Sequence, residues 1–332
     1  MQRRDAWRLG AVVAAVAVAG LGFGGPASAQ TKLKFAHVYE TNEPYHTEAV
    51  WASQEIAKRT NNKYQIDVFA ASALGNEQQI NQALPLGTID MIYTGTSFAG
   101  SIHKPLAISG APGMIRDYNH WKAYRDSALF KELAAGYDKA TGHKIVSLTY
   151  YGARHVTANK AINKPEDMAG LKLRVPQAPL YLMFAKAVGA NASPIAFAEV
   201  YLALQQKTVD AQENPLPTIQ AKKFFEVQSH INLTGHITDS LLVIIGGPLW
   251  KRLSPAEQDI FTKTFQEAAA RASDAIDKVE KDLPEWFKAQ GKTVVVPDKA
   301  AFMAAAAKVN TDPAAGAGWT KAQYDTFQSL GK

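Results

Sequence analysis

Short apolar runs alternate along the chain with longer segments in which apolar residues recur at helical spacing. Six of the short runs are predicted as strands: 32–38, 64–70, 89–95, 144–152, 171–176 and 241–247. Three segments between them have the period of an amphipathic helix: 44–60, 178–189 and 197–206. Alternation of strands and helices is typical of an α/β protein with largely parallel sheets.

One helical segment is much longer than the others. Ser254 and Pro255 have the arrangement of an N-cap followed by a first-turn proline. The helical pattern then runs to about Gln290, and only Pro284 interrupts it. At about 1.5 Å per residue, such a helix is longer than a small domain is wide. We therefore expect it to brace two domains.

The first residues are predicted to be an export signal. Three arginines in the first eight residues are followed by an apolar stretch at 9–25 and by Ala-Ser-Ala at 27–29. This order is typical of a cleaved signal peptide, so the mature chain is expected to begin at Gln30 and to be located in the periplasm. A membrane anchor is the alternative, but the apolar stretch is short and glycine-rich, and a cleavage motif follows it.

Composition narrows the possible functions. The sequence contains no cysteine, which excludes disulfides and cysteine-based metal centres. The formal net charge of +6 becomes +4 without the predicted signal, which contains three arginines and one aspartate. The remaining charges are scattered and the eight histidines are dispersed, so we expect no nucleic-acid partner, no metal site and no cofactor. The remaining residues, about 300, are enough for two domains.

No catalytic motif is found in the sequence: it has no nucleophile elbow, no zinc-peptidase motif, and no Walker or dinucleotide-binding loop. Glu40, Glu43 and His46 lie close together, which is ordinary for a solvated helix start, although His46 is also a candidate to face a cleft. An enzyme that acts on an organic acid, with Glu77 or His46 as proton carriers, is the alternative function. No organised acid–base pair supports it.

The segment GLKLRVPQAP at 170–179 places one arginine inside an apolar strand. Alternation directs Lys172 and Arg174 to one face and the leucine and valine side chains to the other. Pro176 lacks a backbone N–H and restricts the preceding residue, so it ends the strand. Because ligand crevices form at strand ends in open α/β sheets, the planar guanidinium of Arg174 is a candidate to bind a carboxylate. A surface position or a structural salt bridge is the alternative.

Three motifs then occur in a fixed order: G-x-K-x-R-V-P at 170–176, F-x-E-V-Y-x-A-L-Q at 197–205 and V-D-x-Q-E-N-P at 209–215. Together with the segment 44–91, which contains an S-x-L-G loop, they resemble the extracytoplasmic solute-binding proteins of tripartite ATP-independent periplasmic (TRAP) transporters, of the dicarboxylate- and sialate-binding type. The resemblance covers essentially the whole mature chain.

The resemblance implies an α/β, two-domain periplasmic binding protein fold with an interdomain cleft and a long helix spanning both domains. After the signal peptide at 1–29, it implies a domain I of 30–151 plus 240–279 and a domain II of 152–239 plus 280–332. The cleft residues that it implies are Arg174 as the carboxylate-binding arginine, Arg154 as a second arginine, Asn214 beside them, Phe197 as an aromatic wall, and Glu77 and Tyr93 from domain I. If this cleft closed without a ligand, it would hold the two like charges of Arg154 and Arg174.

The implied function is to capture an organic anion and deliver it to a TRAP membrane permease, and we expect the receptor to be a monomer. Glu77 would repel a second carboxylate and accept hydroxyl groups, which favours a sugar acid such as a uronate. C4-dicarboxylates stay open as ligands, as do aromatic carboxylates held between Tyr93, Phe98 and Phe197. A receptor that feeds a signalling partner also stays open.

Overall fold

Two very long strands and one very long helix connect the two halves of the molecule. The computed structural model describes residues 30–310 and 318–332, so the predicted signal peptide at 1–29 lies outside the described residues. The strands of this part of the chain are β1 Thr31–Ala36, β2 Tyr64–Phe69, β3 Met91–Gly95, β4 Lys144–Ala158, β5 Lys172–Val175, β6 Asn191–Pro194, β7 Ala211–Pro215, β8 His230–Ile245 and β9 Thr293–Val295. Its α-helices are α1 Pro44–Arg59, α2 Glu77–Ala83, α3 Thr96–Ala99, α4 Tyr118–Asp126, α5 Ala128–Thr141, α6 Tyr181–Ala187, α7 Val200–Gln205, α8 Leu216–Ala221, α9 Gly247–Trp250, α10 Pro255–Ala289, α11 Lys299–Asn310 and α12 Lys321–Ser329. Short 3-10 helices lie at Lys104–Gly110, Pro165–Met168, Phe197–Glu199 and Phe224–Glu226.

The strands form one mixed sheet in the order β2-β1-β3-β8-β4-β7-β5-β6, and β9 pairs with β8. The pairs β1–β2, β1–β3, β5–β6, β5–β7 and β8–β9 are parallel. The central pairs β3–β8, β4–β8 and β4–β7 are antiparallel. The prediction of largely parallel sheets is therefore correct for the outer parts and wrong for the centre, because β4 and β8 run through both halves in opposite directions.

The strands β4 and β8 are both longer than the sequence predicts. The two strands stay paired along most of their length, and this pairing extends through both halves of the sheet. The prediction of a strand at 241–247 covers only the last part of β8, because residues 230–240 are mostly polar and lack the apolar run that follows them. Polar residues in the first part of β8 therefore lie inside the molecule, near the centre of the sheet.

The pairing of β4 with β8 is irregular where the two halves meet. The register shifts between Tyr150 and Gly152, and Gly152 has a φ of 111°, a conformation that favours glycine. The long helix is fixed to this point. Glu280 of α10 accepts a hydrogen bond from the Tyr150 hydroxyl at 2.7 Å and another from the backbone N–H of Ala153 at 3.1 Å.

The helix α10 confirms the long helix that the sequence predicts. Ser254 accepts a hydrogen bond from the backbone N–H of Glu257, and the Glu257 carboxylate accepts one from the backbone of Ser254, which is a capping box. The helix continues through Pro284 and ends at Ala289. Within the described residues, no helix is both long enough and apolar enough to cross a membrane.

Candidate ligand-binding site

A cavity lies between the two halves of the sheet, next to the irregular part of β4. The surrounding atoms leave about 430 Å³ unfilled, part of it open to solvent, and the centre of a water molecule fits in about 30 Å³ of this space. Five of the seven predicted site residues line this cavity: Arg174, Arg154, Asn214, Glu77 and Phe197. The other two, Tyr93 and His46, lie outside its walls.

Arg174 is buried at the end of β5, and only 1% of it is exposed. The strand ends at Val175, before Pro176, as the sequence predicts. The Nε and Nη2 atoms of Arg174 donate to the carbonyl oxygen of Ile195 at 2.9 and 2.7 Å. Its buried Nη1 has no hydrogen-bond partner in the described residues. The carbonyl group therefore fixes one edge of the guanidinium, and the Nη1–Nη2 edge keeps N–H groups that can bind a carboxylate side by side.

The charge of Arg174 also has no carboxylate in contact in the part of the chain that the structure describes. Burial lowers the pKa of this guanidinium to about 10. Of the neighbouring charges, the Glu213 carboxylate acts to raise the pKa and the like charge of Arg154 acts to lower it. A pKa of about 10 keeps the side chain cationic at neutral pH. A buried cation without a contacting carboxylate is unfavourable unless an anion is supplied from outside the chain.

Arg154 differs from Arg174 because it is paired with carboxylates inside the protein. Its Nε and Nη2 donate to the two carboxylate oxygens of Glu213 at 2.5 and 2.8 Å, and its Nη1 donates to Asp239 at 3.2 Å. Burial acts to lower the pKa of Arg154, but the facing carboxylates raise it well above its ordinary value. The closed cavity therefore does not hold two uncompensated like charges, which differs from the expectation. The reason is that β7 and β8 bring Glu213 and Asp239 to either side of β4.

Glu213 is held in its ionised form by the groups around it. Burial acts to raise its pKa, but Arg154 and a hydrogen bond from His236 Nε2 at 3.2 Å lower the pKa to about 2. The imidazole of His236 lies against the ring of Phe184, with 3.6 Å between the ring centroids, and burial lowers its pKa. Its Nδ1 lies 2.8 Å from the Thr234 hydroxyl, so a neutral ring that donates at Nε2 satisfies both contacts. These contacts fix the position of the Arg154 guanidinium.

Asn214 and Phe197 complete the cavity wall on the same side as Arg174. The amide of Asn214 donates to Gln212 Oε1 at 2.7 Å, and its oxygen accepts from Arg154 Nη2 at 3.3 Å. The ring of Phe197 packs edge-on against Phe224, with 6.2 Å between the centroids. Both side chains are therefore oriented by their neighbours before a ligand enters.

Glu77 reaches the cavity from the opposite half of the molecule, at the start of α2. Its Oε1 accepts hydrogen bonds from the Thr94 hydroxyl at 2.9 Å and from the backbone N–H of Gly95 at 2.7 Å. Its Oε2 accepts no hydrogen bond from the described residues. Burial raises the pKa of Glu77 to about 7, so small changes of pH change its charge.

Tyr93 and His46 contact other parts of the protein. The Tyr93 hydroxyl lies 3.1 Å from the Thr149 hydroxyl, and its ring stacks on Phe35. His46 Nδ1 lies 3.1 Å from His37 Nε2, and burial lowers the pKa of both rings, that of His37 to about 3. Their predicted contact with the ligand stays a prediction.

Three tyrosines in the cavity wall are missing from the predicted site: Tyr39, Tyr151 and Tyr181. Tyr181 donates to Asp239 at 2.8 Å, and its ring centroid lies 4.9 Å from the guanidinium carbon of Arg154. Tyr151 lies in the predicted strand 144–152, but simple alternation would place it on the face opposite to a residue three positions later, and only the register shift between Tyr150 and Gly152 changes this. Tyr39 and Tyr181 lie outside the predicted strands and gave no signal.

A two-domain α/β fold with a charged cavity between the domains is the architecture of an extracytoplasmic solute-binding protein. Residues 35–315 match the family of bacterial extracellular solute-binding proteins, family 7. The chain belongs to this family, which confirms the relationship to TRAP solute-binding proteins and the two-domain fold predicted from the sequence.

Individual relatives agree with this assignment. The sialic acid-binding periplasmic protein SiaP of Vibrio cholerae is 30% identical over 287 residues, which are 86% of this chain and 89% of the relative. The 2,3-diketo-L-gulonate-binding periplasmic protein YiaO of Escherichia coli is 30% identical over 298 residues, 89% of this chain and 90% of the relative. A TRAP periplasmic solute-binding protein from Polaromonas sp. JS666, solved with bound D-erythronate, is 31% identical. It superposes with a TM-score of 0.86 over 91% of this chain and 99% of the solved chain.

Proposed function

We propose that this protein is a periplasmic receptor that captures a hydroxylated organic acid with one carboxylate and delivers it to a TRAP membrane permease. The observation that supports this most directly is the buried Arg174: among the described residues, its Nη1 has no partner and its charge has no contacting carboxylate. The three relatives described above are named for, or were solved with, sialic acid, 2,3-diketo-L-gulonate and D-erythronate. Each of these is an acid with one carboxyl group and several hydroxyl or oxo groups.

The charges around the cavity favour one carboxylate over two. Arg154 is balanced by Glu213 and Asp239, so Arg174 is the guanidinium in the wall that an incoming anion would balance. Glu77, on the opposite side, becomes anionic as the pH rises through about 7. A second carboxylate near Glu77 would meet a like charge, whereas a hydroxyl group could donate to its free Oε2.

We infer that binding closes two domains: 30–151 plus 240–279, and 152–239 plus 280–332. The irregular pairing at Gly152 lies at the first of these boundaries, and Glu280 of α10 lies at the last. Contacts join the two domains at the cavity: Gln78 donates to the backbone oxygen of Gln177 at 3.0 Å. A ligand that binds this arrangement better than a more open one would shift the balance towards closure. Export by the predicted signal peptide at 1–29 would place the receptor in the periplasm.

A thermal-shift screen tests the ligand class. D-erythronate, D-gluconate, D-glucuronate, succinate and benzoate are compared with erythritol, which has the carbon number of D-erythronate but no carboxylate. We expect the largest shifts from the hydroxylated monocarboxylates, because a ligand at 100 times its Kd stabilises the folded state by about 2.7 kcal/mol. Acid released from the complex should be chemically unchanged, as expected for a receptor and not an enzyme. Shifts from erythritol alone would contradict the proposed function.

Glu77→Gln is expected to remove discrimination against a second carboxylate. In the wild type, ionisation of Glu77 between pH 6 and pH 8 should weaken succinate binding relative to D-erythronate by roughly tenfold, through like-charge repulsion at short range. In Glu77→Gln, the ratio of the two affinities should not change with pH. Isothermal titration at both pH values measures the four affinities of each protein. An unchanged ratio in the wild type would show that Glu77 does not face the second end of the ligand.

A further inference from the structure

Among the described residues that form the cavity wall, one hydroxyl group makes no hydrogen bond: that of Tyr39. This residue is 3% exposed and lines the cavity, and its backbone N–H donates to His37 Nδ1. Its hydroxyl makes no hydrogen bond with the described residues. By contrast, the neighbouring Tyr45 donates to the backbone oxygen of Tyr151, and Tyr181 donates to Asp239. Because Tyr39 lines the cavity and its hydroxyl bonds to none of the described residues, the hydroxyl is available to a bound molecule.

The ring of Tyr39 is held on several sides by other rings. It stacks on His37 with 5.9 Å between centroids, and it meets Tyr45 at 5.1 Å, Tyr151 at 5.3 Å and Phe197 at 6.3 Å. Aromatic neighbours at these distances restrict rotation of the side chain. The direction of the hydroxyl is therefore set before a ligand enters, which reduces the entropy lost on binding.

The charges near Tyr39 determine what it can do. Burial and the Glu77 carboxylate raise the pKa of Tyr39 well above its ordinary value, so the phenol keeps its proton throughout the physiological range. Glu77 itself has an Oε2 that accepts no hydrogen bond from the residues the structure describes. A phenol that donates and a carboxylate that accepts, in the wall of one cavity, together match an alcohol, which accepts one hydrogen bond and donates another.

We propose that Tyr39 determines specificity by donating a hydrogen bond to a hydroxyl oxygen of the captured acid, while Glu77 accepts the hydrogen bond that this hydroxyl donates. The inference rests on the proposed function, since Arg174 must first anchor the carboxylate. An alkanoate of the same length would offer no hydrogen bond to the Tyr39 hydroxyl or to Glu77 Oε2. Sites built to bind a hydroxyl group reject analogues that lack it, because buried polar groups are then unpaired.

The test compares acids of equal carbon number with and without hydroxyl groups: D-erythronate with butyrate, and D-gluconate with hexanoate. Affinities are measured by isothermal titration, with competition titrations for the weaker acids, on the mature chain and on Tyr39→Phe. The wild type should prefer each hydroxy acid over its alkanoate, and Tyr39→Phe should reduce this preference by roughly tenfold. The matched control is Tyr45→Phe, which removes a buried hydroxyl from the same group of rings but not from the cavity wall, and should leave the preference unchanged.

The outcomes separate this inference from the proposed function. Suppose that binding depends on Arg174. If Tyr39→Phe then keeps the wild-type preference, or lowers the affinity for all four acids equally, the role of Tyr39 is refuted and the receptor function stands. If the wild type binds the alkanoates at least as tightly as the hydroxy acids, the role of Tyr39 is likewise refuted. If none of the four acids binds the wild type, both proposals fail.

Discussion

Arg174→Ala is expected to lower the affinity for the captured acid by about 30-fold to 5000-fold, which corresponds to roughly 2–5 kcal/mol. The bound carboxylate would lose the contact with the Nη1–Nη2 edge and would then be buried without a counter-charge. Isothermal titration with the acid that gives the largest thermal shift measures the loss. Because the acid is enclosed between the two domains, the loss of binding free energy should appear mainly as faster dissociation of the acid.

Arg174→Lys should restore little of this affinity. Nε and Nη2 donate to the Ile195 carbonyl oxygen, while Nη1 has no partner among the described residues, and an ammonium group cannot make both sets of contacts. Lys172→Ala is the matched control, since it removes an exposed cation from the same strand and should leave the affinity unchanged. If Arg174→Ala bound the acid as tightly as the wild type, the carboxylate would have to be held elsewhere.

The position of Arg174 is predictable from sequence because everything that determines it is local. Side chains alternate between the faces of a strand, and the proline at 176 ends the strand, so six consecutive residues place the guanidinium at a strand end. The long helix was predictable for the same reason: its start, capped by Ser254, and its apolar period lie in one continuous segment.

The partners of Arg154 were not predictable, because they depend on strand register. Glu213 and Asp239 lie 59 and 85 residues further along the chain, on two different strands. The register of β4 against β8 shifts on both sides of Arg154, so simple alternation does not give the facing residues. The sequence therefore presents two similar arginines, whereas the fold makes one a structural ion pair and leaves the other uncompensated.

Tyr39 shows a second reason why sequence reasoning stops short of the full site. It follows β1 in a segment without strand or helix periodicity, and its ring is packed against Tyr151 and Phe197, which are far from it in sequence. No local pattern distinguishes it from the eleven other tyrosines of the chain. Its environment exists only once both halves of the molecule enclose the cavity.

Arg154→Met is expected to lower the free energy of unfolding by about 3–5 kcal/mol near pH 8, because it leaves two buried carboxylates without their counter-charge. In the wild type, the pKa of Glu213 is lowered to about 2, so its ion pair contributes stability above the ordinary carboxyl pKa and loses it as the pH falls towards 2. In the variant, the unpaired carboxyl groups should have raised pKa values. The folded state then binds more protons than the unfolded chain, and its stability falls as the pH rises.

The difference in stability between the wild type and Arg154→Met should therefore grow from pH 4 to pH 8, and urea unfolding across this range measures it. Arg271→Met is the matched control, because Arg271 pairs with Glu48 at the surface and such exposed pairs contribute about 0–1 kcal/mol. Glu213→Gln combined with Arg154→Met should recover part of the loss near pH 8, since one of the two unpaired charges is then removed. If Arg154→Met lowered the free energy of unfolding no more than Arg271→Met does, or if the decrease did not depend on pH, the buried ion pair would not be the main contribution of Arg154 to stability.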